Sequence, residues 1–78
     1  MKNIKVLGSG CSKCIKTADS IEHIASELEV AVTVIKETRP EVIMGYGVMS
    51  TPAVVVDEVL VHSGSIPHRA EIESWLTA

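Results

Sequence analysis

Aromatic side chains are almost absent from this chain: its 78 residues include one Trp, one Tyr and no Phe. Hydrophobic residues still make up 46%, because eleven Val, eight Ile and four Leu take the place of aromatics. That fraction excludes a disordered chain and a collagen-like repeat. A domain of this size buries only about 60–65% of its unfolded surface, so its stability requires dense aliphatic packing. We expect a single domain, residues 1–78, and the β-branched excess favours strands.

Long apolar runs and basic patches are missing as well. No run approaches the roughly 18 residues of a membrane span, and residues 4–7 are too few for the core of a signal peptide. Seven Lys and Arg stand against ten Asp and Glu, and the basic residues are scattered from Lys2 to Arg69. No basic stripe is therefore available for nucleic-acid phosphates. We expect a cytoplasmic protein with neither a membrane nor a nucleic-acid partner.

Hydrophobic periodicity predicts the first three elements. Residues 3–7 form a short apolar run that ends at a Gly-Ser-Gly loop, which indicates a strand. Apolar side chains then recur at steps of three and four over a predicted helix at about 12–29. They are Ile15, Ala18, Ile21, Ala25 and Leu28. Residues 30–35 carry apolar side chains on both faces, which predicts an interior strand.

The second half of the chain predicts a helix, a hairpin and a last helix. Thr38 and Glu41 have the spacing of a capping box, which predicts the start of a short helix. Apolar runs at 53–56 and 59–61, separated by an Asp-Glu pair, predict a β-hairpin. The apolar residues near the C-terminus predict a last helix that opens near residue 66.

This order, βαβαββα, predicts an α/β fold. A right-handed crossover through the first helix makes the first two strands parallel, and the hairpin completes a four-stranded mixed sheet. Placing the first and last helices on one face and the short helix on the other covers nearly all Val and Ile side chains.

The only two cysteines, Cys11 and Cys14, stand where the first strand leads into the first helix. In a reducing cytoplasm such a pair is more often catalytic or metal-binding than a structural crosslink. Side chains three residues apart on a helix are neighbours, so the two sulfurs can form and reopen a disulfide without refolding. The helix dipole favours a thiolate at Cys11, which we predict to be the nucleophile. Cys14, one turn further in and more shielded, would resolve a mixed disulfide.

Two residues lie between the cysteines, Ser12 and Lys13. The Lys13 ammonium would add a positive charge that favours the thiolate of Cys11, although an ordinary solvated lysine fits the sequence equally well. We assign both positions to contact with substrate.

Two separated motifs carry a resemblance to a known family. One is Gly10-Cys11-Ser12-Lys13-Cys14 after the first strand, and the other runs from Tyr46 to Ala53 before the third strand. With them the sequence resembles the small redox-active disulfide proteins of the thioredoxin-like superfamily, over essentially the whole chain. The resemblance implies a thioredoxin-like βαβαββα fold with helices on both faces of the sheet. It also implies that Pro52 is cis and lies against the cysteine pair, and that Thr51 offers backbone groups to an extended substrate strand.

The sequence departs from the thioredoxin pattern at two positions near the cysteines. Gly10 stands where thioredoxins have an aromatic residue, and Lys5 stands where they have a buried acid. Lys5 would face the thiols or extend its ammonium to solvent, and the second position is the ordinary one for a strand lysine. The diglycine with which glutaredoxins bind glutathione is replaced by a Ser-Gly-Ser sequence at 63–65.

We therefore predict a monomeric thiol-disulfide oxidoreductase that needs no cofactor and binds no metal. Its partners would be protein disulfides and an external reductant, either a thioredoxin reductase-like enzyme or the glutathione system. His62 and His68 are too far from the cysteines in sequence for a zinc finger, and we expect solvated histidines.

Two other functions fit parts of the sequence. A ferredoxin-like carrier of copper or zinc also places Cys-x-x-Cys at the start of its first helix. Such carriers have a βαββαβ order and usually a Met two residues before the first Cys, where this chain has Ser9. A thioredoxin-fold adaptor would bind a partner strand without turnover, but the intact cysteine pair disfavours it.

Overall fold

The computed structural model describes residues 2–8, 12–48 and 50–77. The elements are β1 (Lys2–Leu7), α1 (Ser12–Glu27), β2 (Val32–Glu37), α2 (Pro40–Gly45), β3 (Ala53–Val56), β4 (Val59–Ser63) and α3 (Arg69–Thr77). The strands form one sheet in the order β2-β1-β3-β4. β1 is parallel to β2 and antiparallel to β3, and β4 is antiparallel to β3. The predicted element order and four-stranded mixed sheet are confirmed.

Aliphatic side chains cover both faces of this sheet. On one face, α1 and α3 pack on β1 and β3 through a cluster that includes Ile4, Ile21 and Ile72. On the other face, a smaller cluster joins Leu7 to Ile43 of α2. The helices therefore lie on both faces, as predicted, and burial of Ile, Val and Leu replaces an aromatic core.

β2 lies at an edge of the sheet, so the predicted interior strand at 30–35 is wrong. Val32 and Val34 pack against the cluster beneath α1 and α3. On the opposite face Ile35 remains 43% exposed, because the six residues of α2 cover only part of that face. The interior strands are β1 and β3.

The buried face of α1 differs from the predicted stripe. Ile15 is 44% exposed, whereas Cys14 and Thr17 lie in the buried face with Ala18 and Ile21. Thr17 can be buried because its hydroxyl donates a hydrogen bond of 2.8 Å to the Lys13 carbonyl oxygen. In the first turns of the helix, Cys14 and Thr17 take the buried positions, so Ile15 lies outside the buried face. The helix also ends earlier than predicted, since Glu29 adopts a left-handed φ of 56°.

The start of α2 is held by Glu37 rather than by the predicted capping box. The helix begins at Pro40, and Arg39 at its N-cap makes no side-chain capping bond. The Arg39 backbone N–H donates to Glu37 Oε1 at 3.1 Å, and its guanidinium donates to the two carboxylate oxygens at 3.0 and 3.1 Å. The capping role assigned to Thr38 and Glu41 is therefore wrong, because the acceptor comes from the end of β2.

Glu37 is expected to make stability depend on pH in the acid range. Hydrogen bonds from the Arg39 side chain, and then from its backbone, lower the pKa of Glu37 from 4.5 to about 2. A carboxyl whose pKa is lower in the folded chain stabilises fully above its unfolded value, and that stabilisation is lost as pH falls through the folded value. We expect the free energy of unfolding to fall between pH 4.5 and about 2, and Glu37→Gln to lack this part of the fall. An NMR titration of the Glu37 carboxyl with a midpoint near 4.5 would contradict the expectation.

The β3-β4 turn reaches back to β1 and α2. Asp57 and Glu58 both have left-handed φ values, 47° and 70°, which glutamate adopts rarely. The Glu58 carboxylate accepts hydrogen bonds from Lys5 Nζ at 3.0 Å and from the Tyr46 hydroxyl at 2.9 Å. The Lys5 bond lowers the pKa of Glu58, and the bond of Lys5 to Tyr46 raises the pKa of Lys5. The hairpin is confirmed, and Lys5 lies under this turn, 25% exposed, rather than extended into solvent.

His62 links β4 to α3 and is not the solvated side chain predicted from the sequence. Its side chain is 14% exposed, and its Nδ1 lies 3.1 Å from Glu71 Oε2. Its Nε2 lies 3.0 Å from the Ser65 carbonyl oxygen. Glu71 also accepts a 3.2 Å hydrogen bond from the His68 backbone N–H, at the start of α3. These contacts fix the C-terminal helix against the edge of the sheet.

Candidate functional site

Cys14 lies in the first turn of α1 with its side chain turned toward the end of β1. It is 6% exposed, which agrees with the prediction that the second cysteine is shielded. Gly8, the residue after β1, lies directly against its sulfur: a Cβ placed on Gly8 would overlap Cys14 Sγ. The backbone of Gly8 is held by its N–H, which donates to the Glu37 carbonyl oxygen at 3.0 Å. The missing side chain at position 8 therefore makes the space that the sulfur fills.

Thr51 and Pro52 also lie close to Gly8. Leu7 pairs with Ala53 across the antiparallel strands β1 and β3, so the residue that follows β1 comes close to those that precede β3. A Cβ on Gly8 would lie 3.6 Å from Thr51 Cβ. The Thr51-Pro52 peptide bond is cis, the geometry that the family resemblance implied. Pro52 is fully buried, and Thr51 is exposed.

The remaining predicted site residues belong to the start of α1. Ser12 and Lys13 are both exposed in its first turn. Cys11, the predicted nucleophile, lies outside the described residues, as do Ser9 and Gly10. The described part of the site thus consists of Cys14, Gly8 and the Thr51-Pro52 pair, with Ser12 and Lys13 at the solvent-facing start of the helix.

A small pocket opens beside Cys14 at the β2 side of the site. Its volume is about 40 Å³, and it is lined by Val6, Gly8, Cys14, Ile15, Lys36 and Thr38. Val6 and Lys36 are opposite each other in the pairing of β1 with β2, which puts both side chains on the face that α1 covers. Apolar atoms, including the stem of Lys36, form nearly all of the wall.

Sequence reasoning missed Gly8 and Lys36 as neighbours of the cysteine. The only signal for Gly8 was its position after the first strand, which also suits an ordinary turn. The position of Lys36 beside the cysteine could be predicted only from the register of β1 with β2. This register pairs Val6 with Lys36, which are 30 residues apart in the sequence. Lys5, which the sequence offered as a possible neighbour of the thiols, is bonded to Tyr46 and Glu58 instead.

Within 2–8, 12–48 and 50–77, no three His, Cys, Asp or Glu side chains are grouped so that they could hold a metal ion. None of the helices described is both long and apolar enough to cross a membrane.

The chain is similar in sequence and in fold to known proteins. A family model described as a thioredoxin domain matches residues 2–77. The chain belongs to the thioredoxin domain family. It is 34% identical over 73 residues to a protein of Methanocaldococcus jannaschii called thioredoxin, with 94% of this chain and 84% of that protein covered. The solution structure of reduced MJ0307 is similar at a TM-score of 0.65, with 24% identity and coverage of 97% of this chain and 94% of that one.

Membership of the thioredoxin domain family makes this chain a thioredoxin-like redox protein. It also confirms the superfamily to which the two sequence motifs pointed. The structural neighbour has the same fold, with the four-stranded mixed sheet and three helices described above.

Proposed function

We propose that this thioredoxin-family protein is a thiol-disulfide oxidoreductase that reduces or exchanges protein disulfides through Cys11 and Cys14. The observation that carries the proposal is the position of Cys14, 6% exposed in the first turn of α1. A thiol so shielded is poorly placed to attack an external disulfide. It is nevertheless one helical turn in sequence from Cys11, the distance at which side chains on a helix are neighbours. Such a thiol is suited to attack a disulfide that Cys11 has formed.

The proposed reaction consists of two exchange steps. The Cys11 thiolate attacks one sulfur of the substrate disulfide, that bond breaks, and the other substrate sulfur leaves and takes up a proton. Cys14 loses its proton and attacks the Cys11 sulfur, which releases the second substrate thiol and leaves a Cys11–Cys14 disulfide. An external thiol reductant then returns both cysteines to thiols. Two electrons thus pass from the reductant to the substrate, and the sulfurs carry them without a cofactor or metal.

The substrate would contact the exposed residues around Cys14. Thr51 is exposed next to the buried Pro52, so its backbone groups are suited to bind an extended segment of the substrate. Ser12 and Lys13 are exposed at the start of α1 and would contact the same segment. We propose that the protein acts as a monomer in the cytoplasm, with a thioredoxin reductase-like enzyme or the glutathione system as its reductant.

The alternative of a soft-metal carrier is not favoured. A ferredoxin-like carrier requires the order βαββαβ, whereas the observed order is βαβαββα. The match of residues 2–77 to the thioredoxin domain family points the same way.

Turnover of a protein disulfide tests the proposal. We expect a small amount of this protein, supplied with an excess of dithiol, to reduce many equivalents of a model protein disulfide at a rate proportional to its concentration. Binding of Cu(I) is measured on the same reduced sample. Tight Cu(I) binding without any turnover would contradict the proposal and favour the carrier.

A further inference from the structure

The pocket beside Cys14 is shaped for a small aliphatic group. Its volume of about 40 Å³ is roughly three times what one water needs, so it accepts a few atoms and no large ring. Its wall is almost entirely apolar, and apolar cavities attract hydrocarbon more strongly than water. Ile15 stands at the rim with 44% of its surface exposed. A Val side chain of a bound segment would fill this space and cover Ile15.

Lys36, whose side chain lines the same pocket, is exposed and carries a positive charge. Lys5 and Arg39 are already neutralised: Lys5 pairs with Glu58 at 3.0 Å, and Arg39 pairs with Glu37 at 3.0 Å. Arg69 likewise pairs with Glu27 and Glu73 on the far half of the molecule. Lys13 is exposed at the start of α1 but does not line the pocket. Lys36 forms no ion pair with any described residue, although the chain has a net charge of −3.

The apolar pocket and the available ammonium together define a kind of partner. Because Cys14 forms part of the pocket wall, whatever occupies the pocket lies next to the sulfur chemistry. We propose that the pocket selects protein disulfides whose cysteine is flanked by a small aliphatic residue and an acidic one. The aliphatic side chain enters between Ile15 and Val6, and the carboxylate pairs with Lys36. This inference rests on the proposed oxidoreductase function and adds its substrate class.

Three disulfide-linked peptide dimers test the inference. Their sequences are Glu-Val-Cys-Val-Glu, Lys-Val-Cys-Val-Lys and Glu-Gly-Cys-Gly-Glu, symmetric so that the direction of binding does not matter. We expect the wild type to reduce the Glu-Val peptide about fivefold faster, as kcat/KM, than the Lys-Val peptide, the effect of one partly exposed ion pair. We expect at least a tenfold advantage, roughly, over the Glu-Gly peptide, because the pocket stays empty. The net negative charge of the protein alone would favour the basic peptide.

Variants of Lys36 and Ile15 test whether these two residues cause the substrate preference. Lys36→Glu is expected to reverse the order of the Glu-Val and Lys-Val peptides, and Ile15→Ser to reduce the advantage of Val over Gly. Both side chains are exposed, so neither variant should unfold. Lys2→Glu is the matched control, since it changes the same charge at the other end of β1, about 20 Å from Gly8, and should leave the order unchanged.

The outcomes distinguish a failure of the substrate class from a failure of the oxidoreductase function. Equal rates for all three peptides, or a Lys36→Glu variant that keeps the wild-type order, would overturn the substrate class while the oxidoreductase function stands. If no peptide and no protein disulfide is reduced, the proposed function fails and the inference fails with it.

Discussion

Cys11→Ser is expected to lower the rate of protein-disulfide reduction at least a thousandfold, roughly, to the rate of the reductant alone. A serine hydroxyl is not ionised near neutral pH, so the helix N-terminus has no anion to stabilise and the first bond does not form. The measurement is turnover of a model protein disulfide at equal concentrations of the variant and the wild type. Wild-type turnover by the variant would contradict the assigned nucleophile.

Cys14→Ser separates the two steps of the same reaction. The first exchange still occurs at Cys11, but no second thiol is present to release the substrate, so a mixed disulfide accumulates in place of product. Mass spectrometry of the quenched reaction should detect one substrate chain bound per protein, at Cys11. A Cys14→Ser variant that turns over as fast as the wild type, without any trapped adduct, would show that Cys14 does not resolve it.

Gly8→Ala is expected to lower the free energy of unfolding. The added Cβ would overlap Cys14 Sγ, and the backbone of Gly8 is held by its hydrogen bond to Glu37. Overpacking of a rigid site of this kind costs about 1–3 kcal/mol. Denaturant unfolding should therefore report a loss of stability in that range.

Two further variants identify the sulfur as the cause. Gly45→Ala adds a methyl group at the end of α2, where nothing lies within 4 Å. This variant should lower the free energy of unfolding by no more than about 0.5 kcal/mol, or raise it. In a Cys14→Ala background the overlap is removed, so Gly8→Ala should destabilise much less than in the wild type. Equal destabilisation in the two backgrounds would mean that the sulfur is not what the new methyl group meets.

The element order could be predicted from the sequence because it depends on local patterns. The apolar spacing of α1 and the two runs around Asp57 and Glu58 are each contained in a short segment. The position of Cys14 also follows locally, since Cys14 lies four residues before Ala18, which belongs to the apolar stripe of α1. The shielding of Cys14 could therefore be predicted from the sequence.

The features that the sequence did not predict depend on contacts between distant residues. The apolar residues on both faces of β2 do not determine how many strands flank it. β2 lies at the edge because the other side of β1 is paired with β3. Lys36 reaches the pocket only through the register of β1 with β2. Glu37 holds α2 because Arg39 turns back toward it, a contact that competes with the capping box. The glutamate at left-handed φ in the β3-β4 turn depends in the same way on Lys5 and Tyr46.

The redox equilibrium of the two cysteines tests the central claim most directly. The protein is equilibrated in dithiol and disulfide buffers of graded potential, quenched with a thiol-alkylating reagent, and its intact mass is measured. We predict a single two-electron transition in which Cys11 and Cys14 become protected together, within one chain, and are both recovered as thiols on return to reducing buffer. Cysteines that stay open to alkylation across the whole range, or that oxidise only by joining two chains, would contradict the claim.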